Sequence, residues 1–316
     1  MTPKSTSGVR RPRARGACVR LGMLATILLA HATNAEITLP DQPISDPAEL
    51  KKFLDRQPYE IGFHAKNLGN GKELDRFGDR SVCLASTVKI FCLAELFRQK
   101  HEEDLKLSAK IKVPNHGEIS LQEAAGLMIG KSDNDATNAL AEFLGRKKVN
   151  AIPKALGIKT LSREVLPGPE DLQEVLDKRI TGRRAARSGL PQHGTARGMV
   201  GFYELLAANK VISKEVNEDL MAFFKQHPKP FTTVHRKDYE FLGKGGSLLW
   251  TRPPKHYSMM GWALLLQAKE GEDIALCVWG EWFPEYMPTG EQMQFLKFVT
   301  DCVIDCSGSR SGAETD

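Results

Sequence analysis

The chain reads as strand at both ends and as helix in between, and this order limits the folds open to it more than any other feature. Near the start, Glu60–Lys66 mixes apolar and polar residues like a strand. Asn67-Leu-Gly-Asn-Gly71 has the composition of a turn, and Glu73–Phe77 is placed to return antiparallel. The same period comes back in Tyr239–Leu242, Tyr257–Gln267 and Ile274–Trp282, interrupted by Pro253-Pro254 and by Glu270-Gly-Glu-Asp273. Strands so far apart can share one sheet only if the chain between them folds to one side. The expectation is a mixed α+β protein whose sheet is completed by distant segments, with the middle block as a separate helical lobe.

Helical patterns fill that middle block. A first helix is expected from Asp46 to Arg56, with Pro47 at a tolerated early position. Ser86–Lys100 carries Val88, Ile90, Phe91, Leu93, Leu96 and Phe97, apolar on most faces and therefore buried. Ser120–Ile129 opens with Ser120 and Glu123 at capping-box spacing. Ala136–Leu144 ends at Gly145, and Val149–Leu156 ends at Gly157. Thr195–Ala208 and Lys214–Gln226 are amphipathic, and residues 104–226 show little that resembles a strand. Thr289–Val303 closes the chain with a helix whose Thr289 and Gln292 again have capping-box spacing. Between Thr160 and Gly194 lies a long Pro-, Gly- and Arg-containing stretch, of a length usual for functional or disordered loops.

The first 35 residues have a different character. Lys4, Arg10, Arg11, Arg13, Arg15 and Arg20 precede the apolar run Leu21–Ala30, and small residues follow up to Ala32 and Ala35. This is the layout of a secretory signal peptide cleaved after Ala32 or Ala35, and the apolar run is too short for a permanent span. An uncleaved anchor or a basic tail is the other reading. The leader holds six of the 44 basic residues and none of the 39 acidic ones, which leaves 38 against 39 in the remainder. The formal charge of +5 thus belongs to the leader and does not argue for nucleic acid. The expected organisation is a signal peptide at 1–35, a linker and first helix at 36–58, a main domain at 59–306 and a disordered tail at 307–316.

Export would expose thiols to oxidation. Cys83, Cys92, Cys277, Cys302 and Cys306 remain after the leader, and an odd number cannot pair completely. Their spacing establishes no bridge. No zinc spacing is present either, because Cys302 and Cys306 lack a second pair, so no metal is expected.

Three short motifs carry the chemistry: Ser86-Thr-Val-Lys89, Ser132-Asp-Asn134 and Lys244-Gly-Gly246. On a helix Ser86 and Lys89 share a face. A lysine buried among apolar residues favours its neutral form, which accepts a proton, and a hydroxyl beside such an amine becomes a nucleophile. Ser132 is placed to relay a proton, and Asn134 both donates and accepts hydrogen bonds. Lys244 is a cationic anchor before glycines that let a ligand approach the backbone. Each motif alone also fits a structural role: a cap serine with a snorkelling lysine, a turn, a hairpin. All three in order favour acyl transfer.

With these motifs the chain resembles the class A β-lactamases and their penicillin-recognising relatives, a motif set known for serine acyl transfer. Leu84-Ala-Ser-Thr-Val-Lys-Ile90, Met128-Ile-Gly-Lys-Ser-Asp-Asn-Asp-Ala-Thr-Asn138 and Gly194-Thr-Ala-Arg-Gly-Met-Val200 are similar to that family's stretches, and the resemblance runs from about Tyr59 to Val303. It implies a five-stranded antiparallel sheet flanked by helices, an all-helical lobe over about 104–226, and a site between them. It implies Ser86 as nucleophile, Lys89 as its activator, Ser132 as proton relay and Lys244 as the substrate-carboxylate anchor. The backbone N–H groups of Ser86 and Ser247 would form the oxyanion hole, and Asn134, Gly246 and Ser247 would line the substrate. No cofactor is needed, the substrate is a small β-lactam or peptide-like acyl compound, and the expected protein is an exported monomer. Two departures stand out. Gly245 takes the place of the hydroxyl residue usual in the third motif, which removes a contact to substrate. The family's deacylating glutamate loop is altered, with Arg163-Glu164-Val-Leu-Pro167 as its nearest counterpart; Glu164 is the first candidate base and Glu170 the second. A peptidase or esterase that is only inhibited by lactams, and a non-catalytic lactam-binding relative, are the alternatives.

Overall fold

The computed structural model describes residues 38–158, 166, 192–227, 236–252, 255–282 and 287–308. The described residues from Leu39 onward belong to one compact unit. Helix α1 spans Pro47–Asp55, with Asp46 accepting the Glu49 N–H as its cap. Strand β1 (Glu60–Asn67) turns through Asn67, whose side-chain oxygen accepts the N–H groups of Gly69 and Asn70. Strand β2 (Glu73–Arg76) then returns antiparallel, pairing Phe63 with Arg76.

The far end of the chain supplies β7 (Tyr239–Arg252), β8 (Lys255–Ala268) and β9 (Ile274–Trp282). Strand β9 pairs antiparallel with both β1 and β8, giving a five-stranded antiparallel sheet in the order β2-β1-β9-β8-β7. Every residue of β9 is buried, as the apolar run Ile274–Trp279 suits a central strand covered on both faces. The buried Glu281 accepts from the Tyr257 hydroxyl. On one face lies the last helix, α8 (Thr289–Cys306), where Phe295 and Phe298 pack on Phe53 of α1 and Thr300 accepts from the Trp262 indole. Helix α6 (Ala196–Ala207) packs against β1, β8 and β9.

Helix α2 (Lys89–Glu102) runs through the helical part, packed by α4 (Asn134–Leu144), α5 (Arg146–Ala155) and α7 (Lys214–Gln226). Ten of its fourteen residues are buried, which makes it the central helix. Burying a Phe or Leu side chain contributes about 1.5–3 kcal/mol, so Phe91, Leu93 and Leu96 anchor it firmly.

Several expectations are corrected. Ser86–Lys100 is not one helix: Ala85–Val88 forms a 3-10 turn, and α2 begins only at Lys89. The block 104–226 is not purely helical. Strands β4 (Lys110–Val113) and β5 (Gly117–Ser120) form a hairpin, and the short β3 (Val82–Cys83) pairs with β6 (His193–Gly194). The alternation of exposed lysines with buried Ile111 and Val113 is the period-two signal of β4. Helix α3 (Leu121–Gly126) has the expected capping box at Ser120 and Glu123, but passes into a π turn at Leu127–Lys131. Helix α8 has none: its cap is Pro288, and the buried Gln292 amide donates to Ser258 Oγ and the Met287 carbonyl. A side chain carried into the core finds partners there before it can reach back to its own cap.

The five cysteines from Cys83 onward are free and buried. Burial pushes the Cys83, Cys92, Cys277 and Cys302 thiols up to about 12 and Cys306 to about 11, so they are protonated near neutral pH. Among the described residues no helix is long and apolar enough to cross a membrane.

Candidate active site

The chain enters the site under strain. Ala85 has φ 43°, a left-handed value that a non-glycine residue rarely adopts, and it sets Ser86 at the start of the 3-10 turn. Residues three apart nearly eclipse on such a turn, so Ser86 and Lys89 remain on one face although no continuous α-helix joins them. The Lys89 N–H donates to the Ser86 carbonyl. The Lys89 side chain is 3 % exposed.

The second motif follows the π turn. Ser132 also lies in the left-handed region, at φ 59°, which turns the chain sharply before Asp133 caps α4 through the Ala136 N–H at 2.7 Å. Lys89 Nζ donates to the Ser132 carbonyl and to Asn134 Oδ1, both at 2.7 Å, and lies 3.5 Å from Ser132 Oγ. Lys244, 1 % exposed, approaches from β7 and donates to Ser132 Oγ at 2.9 Å and to the Gly245 carbonyl at 2.6 Å. Two amines, one from α2 and one from β7, thus reach one hydroxyl.

Ser86, Ser132, Gly245, Gly246 and Ser247 line a single cleft. Gly246 is a steric requirement: a Cβ there would lie 2.7 Å from Ser86 N and 2.9 Å from Thr87 N, both unyielding backbone. Glycine lets the edge strand β7 press directly on the Ser86 turn. Ser86, Lys89, Ser132, Asn134, Lys244, Gly246 and Ser247 therefore lie close together. Glu164 and Glu170, the candidate deacylating bases, lie outside the described residues. Leu166, between them, is buried and exchanges backbone hydrogen bonds with the Asn150 amide on α5.

Sequence reasoning missed the contribution of β8. Met260, Gly261 and Trp262 also line the cleft, register partners of Ser247, Gly246 and Gly245. An isolated glycine inside an apolar strand was the available signal: a Cβ at Gly261 would come 2.7 Å from the Val278 carbonyl. Among the described residues no group of three or more His, Cys, Asp or Glu gathers to hold a metal ion. The arrangement suits transfer of an acyl group to a hydroxyl, with a proton passing through a second hydroxyl.

The sequence profile described as the Beta-lactamase enzyme family matches residues 47–253. No curated protein matches the sequence. Among solved structures, a β-lactamase from Chitinophaga pinensis superposes with a TM-score of 0.68 at 14 % identity, over 82 % of this chain and 98 % of the other. A β-lactamase from Sphaerobacter thermophilus gives 0.61 at 20 % identity, over 84 % and 97 %. The structure of PBP-A gives 0.62 at 17 %, again over 84 % and 97 %. At these identities the likeness establishes the fold.

Proposed function

The chain belongs to the β-lactamase enzyme family, and from that premise we propose that it is an exported serine hydrolase of the class A type that opens β-lactam amides through an acyl-enzyme on Ser86. Ser86 Oγ attacks the lactam carbonyl and gives its proton to Lys89. Backbone N–H groups of Ser86 and Ser247 hold the developing oxyanion, a pair of donors of which each is worth about 3–4 kcal/mol. The carbonyl–nitrogen bond then breaks, and the departing nitrogen takes a proton from Ser132, which Lys244 or Lys89 replaces. The observation that carries the reading is the convergence of Lys244 Nζ (2.9 Å) and Lys89 Nζ (3.5 Å) on Ser132 Oγ, in a cleft that Ser86 lines. Hydrolysis of the ester needs an activated water, a task assigned here to Glu164, with Glu170 as the other candidate. Export is the work of the leader at residues 1–35.

The test is hydrolysis of a chromogenic cephalosporin by the purified protein and by Ser86→Ala, with intact-mass time courses using a penicillin. Wild type is expected to gain and then lose one adduct, and the variant to gain none. Equal hydrolysis by the two proteins ends the proposal. A second reading, a peptidase or esterase for which the lactam is only an inhibitor, is favoured by Gly245 in the third motif. A variant of PBP-A has been crystallised as an acyl-enzyme with penicillin G. Here that reading predicts a stable adduct without turnover, whereas a non-catalytic relative predicts no adduct at all.

A further inference from the structure

The hairpin β4–β5 grips the second motif from outside the cleft. Its tip is shaped by left-handed Asn115 (φ 62°) and Gly117 (φ 76°). Asn115 Nδ2 donates to Asp135 Oδ2 at 2.8 Å, and His116 Nε2 lies 2.9 Å from Asp133 Oδ2. Burial opposes ionisation of Asp133, but the Ala136 N–H and His116 outweigh it and hold the carboxyl below its ordinary value. An ionised carboxylate only accepts, so His116 Nε2 carries the proton and donates.

The two oxygens of Asp133 therefore have different tasks. Oδ1 caps α4 through Ala136, and Oδ2 is held by the hairpin. Directly before Asp133 stands Ser132, whose left-handed backbone is strained and persists only where its surroundings hold it. Lys89 holds it from within, through the Ser132 carbonyl. We propose that His116 holds it from without: it is a positioning residue that fixes Asp133, and through it keeps Ser132 Oγ within reach of Lys244. This rests on the reading of Ser132 as the proton donor given above. Loss of His116 leaves the Oδ1 cap in place, so α4 remains while the strained Ser132 hinge relaxes. Small displacements of a reacting group are expensive, up to about 10²-fold for 1 Å.

The experiment compares the full-length protein with His116→Ala and His116→Gln. In pre-steady-state acylation by a penicillin, followed by intact mass, His116→Ala is expected to lower the first-order limit about tenfold. The half-saturating concentration should stay within about twofold, because substrate contacts are untouched. His116→Gln, whose amide can still donate to Asp133, is expected to recover most of the rate. A wild-type limit in His116→Ala overturns the proposal, and so does a defect that His116→Gln leaves unrelieved. Amide hydrogen exchange supplies a readout independent of catalysis. Residues 132–137 should exchange faster in His116→Ala while α2 keeps its protection, and unchanged protection at 132–137 overturns the proposal. Should the wild type form no adduct on Ser86, the functional reading fails, and exchange alone decides the role of His116.

Discussion

At the sheet edge, Arg197 of α6 reaches Glu73 and Asp75 at 3.0 Å and Asp79 at 3.1 Å. In the cleft, Lys89 and Lys244 donate, among the described residues, to carbonyl, amide and hydroxyl oxygens. Both clusters join distant segments around cations, yet the choice of cation differs with the task. A guanidinium keeps its proton at any ordinary pH and offers several donors in a rigid fork, so it serves as a tie. An ammonium can lose its proton when buried, so it serves where a proton must travel. The edge cluster shows the same logic in its histidine. Arg197 donates toward His64 Nε2 at 3.2 Å, so that nitrogen accepts, and Nδ1 donates to Asp75 at 2.9 Å. Burial first, and then the Arg197 charge, lower the tendency of His64 to take a second proton.

The largest effect that sharpens this contrast is expected at Ser132. Ser132→Ala should slow acylation of Ser86 by about 10²–10⁴-fold, the usual worth of a positioned proton donor, while Arg197→Ala leaves acylation near wild type. Adduct formation followed by mass spectrometry makes the comparison, and equal losses in the two variants would break it. Next comes Gly246→Val, which drives a side chain against the Ser86 and Thr87 backbone. Acylation should fall about tenfold or more, and denaturant unfolding should show a loss of about 1–3 kcal/mol from overpacking. A valine accepted at no cost would mean that β7 does not press on the Ser86 turn.

The smallest effect is a pH slope from the edge. His64 has a folded pKa below its unfolded value of about 6.5, so the unfolded chain binds the proton more readily. Its contribution is therefore present above about pH 6.5 and is lost as the pH falls toward and through the depressed folded value. Urea midpoints measured from about pH 7.5 down to about pH 5.5 should drop more steeply for wild type than for His64→Gln. Parallel curves would remove His64 from the account.

Much of this was legible beforehand, and the exceptions share a cause. Strand β9 and helix α7 coincide with the segments Ile274–Trp282 and Lys214–Gln226 read from periodicity, because local burial pattern and local conformation agree there. The capping box at Ser120 and Glu123 formed because Glu123 is exposed and its side chain is free to reach back one turn to Ser120. The same spacing at Thr289 and Gln292 failed because Gln292 is buried and bonds to Ser258 of β8. Hairpin β4–β5 was overlooked because its alternation covers only four residues, Lys110–Val113. In the site, the motif residues were legible, whereas the lining by Met260 and Trp262 depends on strand register.

By itself the amino-acid order determined the longer helices and the sheet strands at the two ends of the chain, which hydroxyls and amines belong to the three motifs, and the family they resemble. Those are properties of neighbouring residues, governed by side-chain period, caps and turn chemistry. Only the tertiary structure decided that Lys89 and Lys244 meet at Ser132, that Gly246 touches the Ser86 backbone, and that His116 clasps Asp133. Each of these contacts closes a loop of chain whose entropic cost is offset by the packing of the whole sheet and of helix α2, and no short stretch of sequence carries that sum.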